Sequence, residues 1–273
     1  MIKCNDWPVG VCTWSLGNDM GKIADLKNKT GLNHLNLGIS PAFEDNGEDY
    51  LAKVNDGGYE ITATMIDYPQ EDYSTLEAIR RTGGIVPNDC WEANKQRALE
   101  AIRLTSSLGV PYLAMHIGFI DHTNKAQYKT LVERVELLAN AADDKQVCLL
   151  METGQETAED LRRFLEELAH PALGVNCDPA NMILYDKGEP LEAVKTLAPW
   201  IRHIHIKDAL RTQTPGTWGT EVVWGTGQVG GESFLNALSQ AGFEGALAIE
   251  REAGDDRMGD IVKAIETLKQ FNG

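Results

Sequence analysis

A single (β/α)8 TIM barrel is the fold class this sequence predicts, and three observations lead there. Short apolar runs alternate with helix-periodic segments along the whole chain, and eight strand-helix pairs can be counted. Strands separated by helices pair in parallel through right-handed crossovers, and 273 residues suit a closed barrel, which takes about 250. The open alternative, a doubly wound sheet, lacks its mark. No GxGxxG follows the first strand, because "SLGNDMG" has the wrong spacing and "GTGQVGG" near 225–231 follows an irregular loop. With no linker or composition shift to split it, 1–273 is read as one domain.

Taken in order, "VGVCTWS" is the first strand, followed by a helix near 19–30; "LNHLNLG" is the second, followed by one near 47–55. "YEITATMI" is the third, and a long polar excursion leads from it into the helix around "WEANKQRALEAIRLTSSLG". "PYLAMHIG" precedes "AQYKTLVERVELLANAA", "QVCLLMET" precedes "AEDLRRFLEELA", and "ALGVNCD" precedes a helix around "PLEAVKTLA". The last strands are "IRHIHIKD" and "GALAIERE", with "GESFLNALSQAG" between them and "DIVKAIETLKQF" closing the chain. The late glycines supply either turn geometry before the helix near Glu232 or an anion cradle at its N-terminus.

Composition removes several classes of function. At 42% hydrophobic and 24% charged residues the chain is an ordinary globular one, and no apolar run approaches the roughly 18 residues of a membrane span. The N-terminal stretch has no basic region followed by a long apolar block, so no secretory signal is expected. Five cysteines without CxxC spacing cannot all pair, which reads as reduced thiols in a cytoplasmic protein. A formal charge of -16 opposes a nucleic-acid partner, whose binding relies on Lys and Arg displacing counterions. A homo-oligomer is compatible with all of this.

In such barrels the active site lies at the C-terminal ends of the strands, so the residues closing each apolar run matter most. Strand four ends at His116, strand five at Glu152, strand six at Asp178, strand seven at His205 and strand eight at Glu250. Carboxylates and imidazole on four successive strands are the O and N donors that bind a divalent cation. Singly, each has a plainer reading: Glu152 or Asp178 could cap a helix, and Glu250 could pair with Arg251. In "WIRHIHIKDA" the strand period puts His203, His205 and Lys207 on one face, with His205 nearer the mouth and therefore the ligand candidate. His203 is either a core histidine or a residue that orients a ligand, and Lys207 either reaches substrate oxygen or is solvated. Small inward residues (Ala114, Ala246, Ala248) leave room for a bound molecule, while outward Met115, Leu247 and Ile249 suit a helix layer.

With Glu152, Asp178, His205 and Glu250 in that order, and with "METGQET", "GVNCDPANMILY", "HIHIKDA" and "GFEGALAIERE", the chain resembles the sugar phosphate isomerase/epimerase family. These are xylose-isomerase-like barrels that include ketose 3-epimerases and inosose dehydratases. The resemblance implies one divalent metal ion (Mn, or Zn, Mg or Co) held by two Glu, one Asp and one His. It makes Glu152 and Glu250 the pair that exchanges the substrate's proton, and Arg211 a contact to substrate oxygen. His116, Asn181 and Lys207, at or just beyond strand ends but outside the ligand set, are expected to face the substrate. Asn181 stands where the ketose 3-epimerases place a histidine, and Ala158 where they carry a further glutamate.

The implied function is a metal-dependent isomerase or epimerase of a small sugar or sugar derivative, working through a stabilised enediolate. The alternative is a lyase or dehydratase of a keto-sugar or keto-inositol on the same site. A non-catalytic sugar-binding barrel and an endonuclease-IV-like repair enzyme are further alternatives; six histidines and the acidic charge oppose the latter.

Overall fold

The computed structural model describes residues 1–271. Eight parallel strands close into a barrel: β1 (Trp7–Cys12), β2 (His34–Gly38), β3 (Glu60–Ile66), β4 (Tyr112–Met115), β5 (Cys148–Glu152), β6 (Leu173–Cys177), β7 (Ile201–Ile206) and β8 (Ala246–Ile249). Each pairs with its sequence neighbour, and β8 returns to β1 through Leu247–Val9 and Ile249–Val11. The expected fold class is the one observed.

The helices are α1 (Met20–Thr30), α2 (Gly47–Asp56), α3 (Leu76–Thr82), α4 (Trp91–Ser107), α5 (Lys125–Asp143), α6 (Ala158–Leu168), α7 (Pro179–Leu184), α8 (Pro190–Leu197), α9 (Gly231–Gln240) and α10 (Arg257–Gln270). Their starts follow local chemistry. Asp19 accepts hydrogen bonds from the amides of Gly21 and Lys22, Thr157 from that of Asp160, and Asp256 from that of Gly259, each satisfying a donor the helix leaves open. Among the described residues no helix is long and apolar enough to cross a membrane.

The strand period sorts the side chains as expected. Ile204, Ile206, Leu247, Ile249 and Met115 are buried in the apolar layer between barrel and helices, where each contributes about 1.5–3 kcal/mol. His203 and His205 sit in register with Ala246 and Ala248 on the opposite face of the sheet. The ladder slips between β2 and β3, where Leu35 pairs with Ile61 but Asn36 with Ala63. The extra residue of that bulge, Thr62, comes within 3.0 Å of His203 Nε2.

Besides α7, which is inserted between β6 and α8, three features lie outside the sequence expectation. A short strand, Lys3–Cys4, runs antiparallel to β1. The polar excursion after β3 contains α3 and is braced by Glu71, whose carboxylate accepts from the amides of Tyr68 and Gly84. Beyond β7, Asp208–Leu210 and Thr220–Val222 form a small antiparallel hairpin that brings Trp218 and Glu221 to the barrel mouth.

Candidate metal centre

Glu152, Asp178, His205 and Glu250 meet at the C-terminal mouth: each offers one ligand atom, and these atoms all lie within 4.8 Å of one another. All four residues are buried. His205 Nδ1 stands 3.0 Å from Glu152 Oε1, 3.1 Å from Glu250 Oε2 and 3.9 Å from Asp178 Oδ2.

The plainer readings of the carboxylates are met only in part. Asp178 does cap α7, accepting the Asn181 amide through Oδ1 at 2.9 Å, with Pro179 in the first turn. Its other oxygen, Oδ2, is buried without a hydrogen-bond partner. A buried carboxylate oxygen that accepts no hydrogen bond, with only the Lys207 ammonium 3.7 Å away and two other carboxylates beside it, is what a cation site requires, since burying such a charge under-compensated is costly. Thr153 fixes the approach: its hydroxyl donates to the carbonyl of Asp178 and accepts from its amide, both at 2.9 Å. Gly154 follows with φ of 140°, and a Cβ there would run into Asn181. Arg251 does not neutralise Glu250. It turns to Glu221 (2.7 Å) and Asp260 (3.1 Å), leaving Glu250 Oε1 to accept from Trp14 Nε1 at 2.6 Å.

The orientation of His205 is set from below. Asn36 donates through Nδ2 to the carbonyl of Ala63 at 3.0 Å, which turns its Oδ1 toward His205 Nε2 at 2.8 Å. That oxygen can only accept, so Nε2 carries the proton and Nδ1 presents a lone pair to the carboxylates. Lone pair against carboxylate is repulsive until a proton or a cation lies between them. His203 Nδ1 faces Asn176 Oδ1 at 3.0 Å, and the amide of Asn176 packs on the His205 ring at 3.1 Å. His203 is thus a satisfied interior histidine that also buttresses the ligand. Asn36→Leu, which keeps bulk and removes the acceptor, is expected to weaken divalent-cation affinity by about 10–100-fold, as loss of a partner behind a ligating histidine does. A chelator-competition titration measures it, and an unchanged affinity would show that Asn36 does not anchor the ligand.

Charge accounting favours a divalent ion. With all three carboxylates ionised and His205 neutral, as ligands must be, the one ammonium nearby, that of Lys207 at 3.2 Å from Glu250 and 3.7 Å from Asp178, leaves two negative charges for a cation to meet. Burial drives the Asp178 carboxyl well above the usual carboxylate range; Lys207 opposes this, while Glu250 and Glu152 add to it. Glu250 shows the reverse balance: burial pushes it up, but Lys207 and His205 hold it well below that range. Burial opposes protonation of His205, yet Cys12, Glu250 and Glu152 keep its pKa well above the ordinary imidazole value. The cluster therefore fits a divalent cation bound by three carboxylates and one imidazole nitrogen.

Above the cluster opens a cavity of about 560 Å³. Of the residues expected to face substrate, His116, Asn181 and Lys207 line it. His116 Nε2 lies 3.2 Å from Glu152 Oε2, and Asn181 Nδ2 donates to Glu152 Oε1 at 3.3 Å. Lys207 is buried rather than solvated. Arg211 is not brought to this group: its guanidinium is held by Asp186, the carbonyl of Gly188 and Glu189, and it is not among the lining residues. The glycine loop is no anion cradle for a ligand either. The amides of Ala209, Gly225, Gly227 and Val229 all donate to the carboxylate of Asp208, and a Cβ on Gly227 would clash with it. Sequence reasoning missed Trp14, Asn36, Tyr73, Tyr185 and Trp218. Asn36, a lone amide within an apolar strand, and Trp14, two residues beyond the end of β1, carried a usable signal.

A family model described as xylose isomerase-like TIM barrel matches residues 31–271. Among solved structures, a xylose isomerase domain protein from Planctomyces limnophilus is 31% identical, with a TM-score of 0.87 and coverage of 98% of this chain and 97% of that one. The probable 3-DHS dehydratase AsbF of Bacillus anthracis (16% identical, TM-score 0.71, coverage 97% and 98%) has the same fold. So does D-psicose 3-epimerase of Clostridium cellulolyticum H10 (16% identical, TM-score 0.70, coverage 97% and 98%). No curated protein matches the sequence.

Proposed function

The chain belongs to the xylose isomerase-like TIM barrel family, and on that premise we propose that it is a divalent-metal-dependent isomerase or epimerase of a sugar or sugar derivative. One observation carries the reading. Glu152 and Glu250 each turn one oxygen into the ligand cluster while the other is held by a cavity-lining donor, His116 for Glu152 and Trp14 for Glu250. Such a pair can take a proton from a carbon acid on one side and return it from another. A bound cation, whether Mn, Mg, Co or Zn, supplies Lewis-acid polarisation of the substrate carbonyl and its neighbouring hydroxyl.

Within this reading Glu152 removes the proton on the carbon beside the carbonyl, and His116 steadies the oxygen that receives it. Glu250, held in place by Trp14 and Lys207, delivers a proton taken from solvent to the other face, and Glu152 gives the one it removed back to solvent. Asn181 and Lys207 orient substrate oxygens. The free state of all five cysteines supports a reducing, cytoplasmic setting. His116, which lines the cavity with Nε2 at 3.2 Å from Glu152 Oε2, supports a lyase as the second reading, because a ring nitrogen there could protonate a departing β-hydroxyl.

Incubating the metal-loaded protein with ketopentoses and ketohexoses in heavy water tests the proposal. Deuterium is expected at the carbon beside the carbonyl, together with an epimer or isomer of the substrate. A product one water lighter would establish the lyase instead, and binding without any exchange would leave only a sugar-binding barrel.

A further inference from the structure

Lys207 is the one lysine or arginine among the described residues that line the cavity, against five carboxylates there: Asp67, Glu152, Glu221, Glu250 and Glu252. Its ammonium is already committed, at 2.7 Å to Glu252, 3.2 Å to Glu250 and 3.7 Å to Asp178. The cations around the rim are committed as well: Arg251 to Glu221 and Asp260, Arg97 to Asp67, and Arg211 to Asp186 and Glu189. Away from the metal cluster, an incoming phosphate or carboxylate would meet no free lysine or arginine and several like charges, an arrangement that disfavours such partners.

Trp218, which lines the mouth, carries an unmatched neutral donor. Trp218 Nε1 is buried and has no hydrogen-bond partner, a state that is costly unless a ligand supplies an acceptor. The side chain is held in place: the amide of Gly219 donates to the carbonyl of Leu184 at 3.0 Å, and the indole stands edge-on to Tyr185 with ring centroids 4.6 Å apart. Aromatic rings of this kind bury the C–H faces of a sugar while their polar edges bind its oxygens.

We propose that the cavity selects an uncharged polyhydroxylated substrate over its phosphorylated or carboxylated counterpart, and that Trp218 is a specificity-determining residue whose indole N–H donates to a substrate oxygen. The proposal rests on reading this cavity as the sugar site. Calorimetric titration of the metal-loaded protein tests it with matched probes, a panel of free ketopentoses and ketohexoses against their terminal phosphate esters. The free sugars are expected to bind at least about tenfold more tightly at low ionic strength. Trp218→Phe, which keeps an aromatic ring and removes the N–H, is expected to weaken their binding by about tenfold. Glu252→Gln, which loosens the hold on Lys207, is expected to narrow the gap between free sugar and ester. Equal or tighter binding of the esters, no binding by any free sugar, or a Trp218→Phe protein of unchanged affinity would overturn the proposal. Selective binding without solvent exchange would instead sink the isomerase reading and leave the selectivity standing.

Discussion

Asp178→Asn is expected to abolish divalent-cation binding at the cluster while leaving the fold intact. The substitution separates the two functions of this side chain. Asparagine caps a helix about as well as aspartate, so the bond from the Asn181 amide to Oδ1 survives and α7 loses at most a few tenths of a kcal/mol. The orphaned Oδ2, however, becomes an amide NH2, which cannot ligate a cation and points a donor where the ion would lie. Removal of one of three crowded carboxylates also relieves repulsion in the metal-free state, so the variant without metal should be no less stable than the wild type without metal. Thermal melting in chelator and in excess Mn, read alongside elemental analysis, distinguishes these effects. At a thousandfold excess over Kd the wild type gains about 4 kcal/mol, a shift on the order of 10 °C for a chain of this size. The variant should show almost none of it. A metal-dependent shift as large as the wild type's would mean that the cation, if bound, lies elsewhere.

Asp178 also shows how far the sequence could be read. That "GVNCD" ends a strand, and that the strand's last polar residue reaches a barrel mouth, follow from period and length alone, because a strand alternates faces and a parallel barrel puts all its C-terminal ends together. By the same logic His205 and Glu250 were placed from "HIHIKD" and "LAIERE". What the period cannot supply is the partner of each charge. Arg211 follows a site-bearing strand yet turns outward to Asp186 and Glu189, while Arg251 leaves the adjacent Glu250 for Glu221, thirty residues away. Nor does it reveal where a ladder slips, as at Thr62, or that strands as short as Asp208–Leu210 and Thr220–Val222 will pair. Asp208 is buried, its charge met by the adjacent Ala209 amide and by the amides of Gly225, Gly227 and Val229, three loop donors that only the folded chain brings near. Asn36 meets His205 across 169 positions of sequence, and no local pattern encodes that contact.

Glu250→Gln is expected to lower turnover, and with it the exchange of substrate hydrogen into solvent, by on the order of 10² or more, the scale of positioned acid-base catalysis. Glutamine keeps the length and preserves an oxygen for the 2.6 Å bond from Trp14 Nε1, so the wall of the cavity should hold. It removes the negative charge that Lys207 and His205 now share at 3.2 and 3.1 Å, and with it the ability to hold a transferred proton. Part of the loss can come through weakened metal binding, because the same carboxylate belongs to the ligand cluster. The measurement is therefore made on protein reloaded with metal to the wild-type content, with substrate exchange followed in heavy water. Glu152→Gln, made on β5 three strands away, should lower the rate on the same scale, since an epimerising pair needs both members. If the metal-replete Glu250→Gln protein exchanges substrate hydrogen at the wild-type rate, Glu250 is a ligand alone, and the second proton carrier must be sought among the other cavity-lining groups, His116 first, whose imidazole lies 3.2 Å from Glu152.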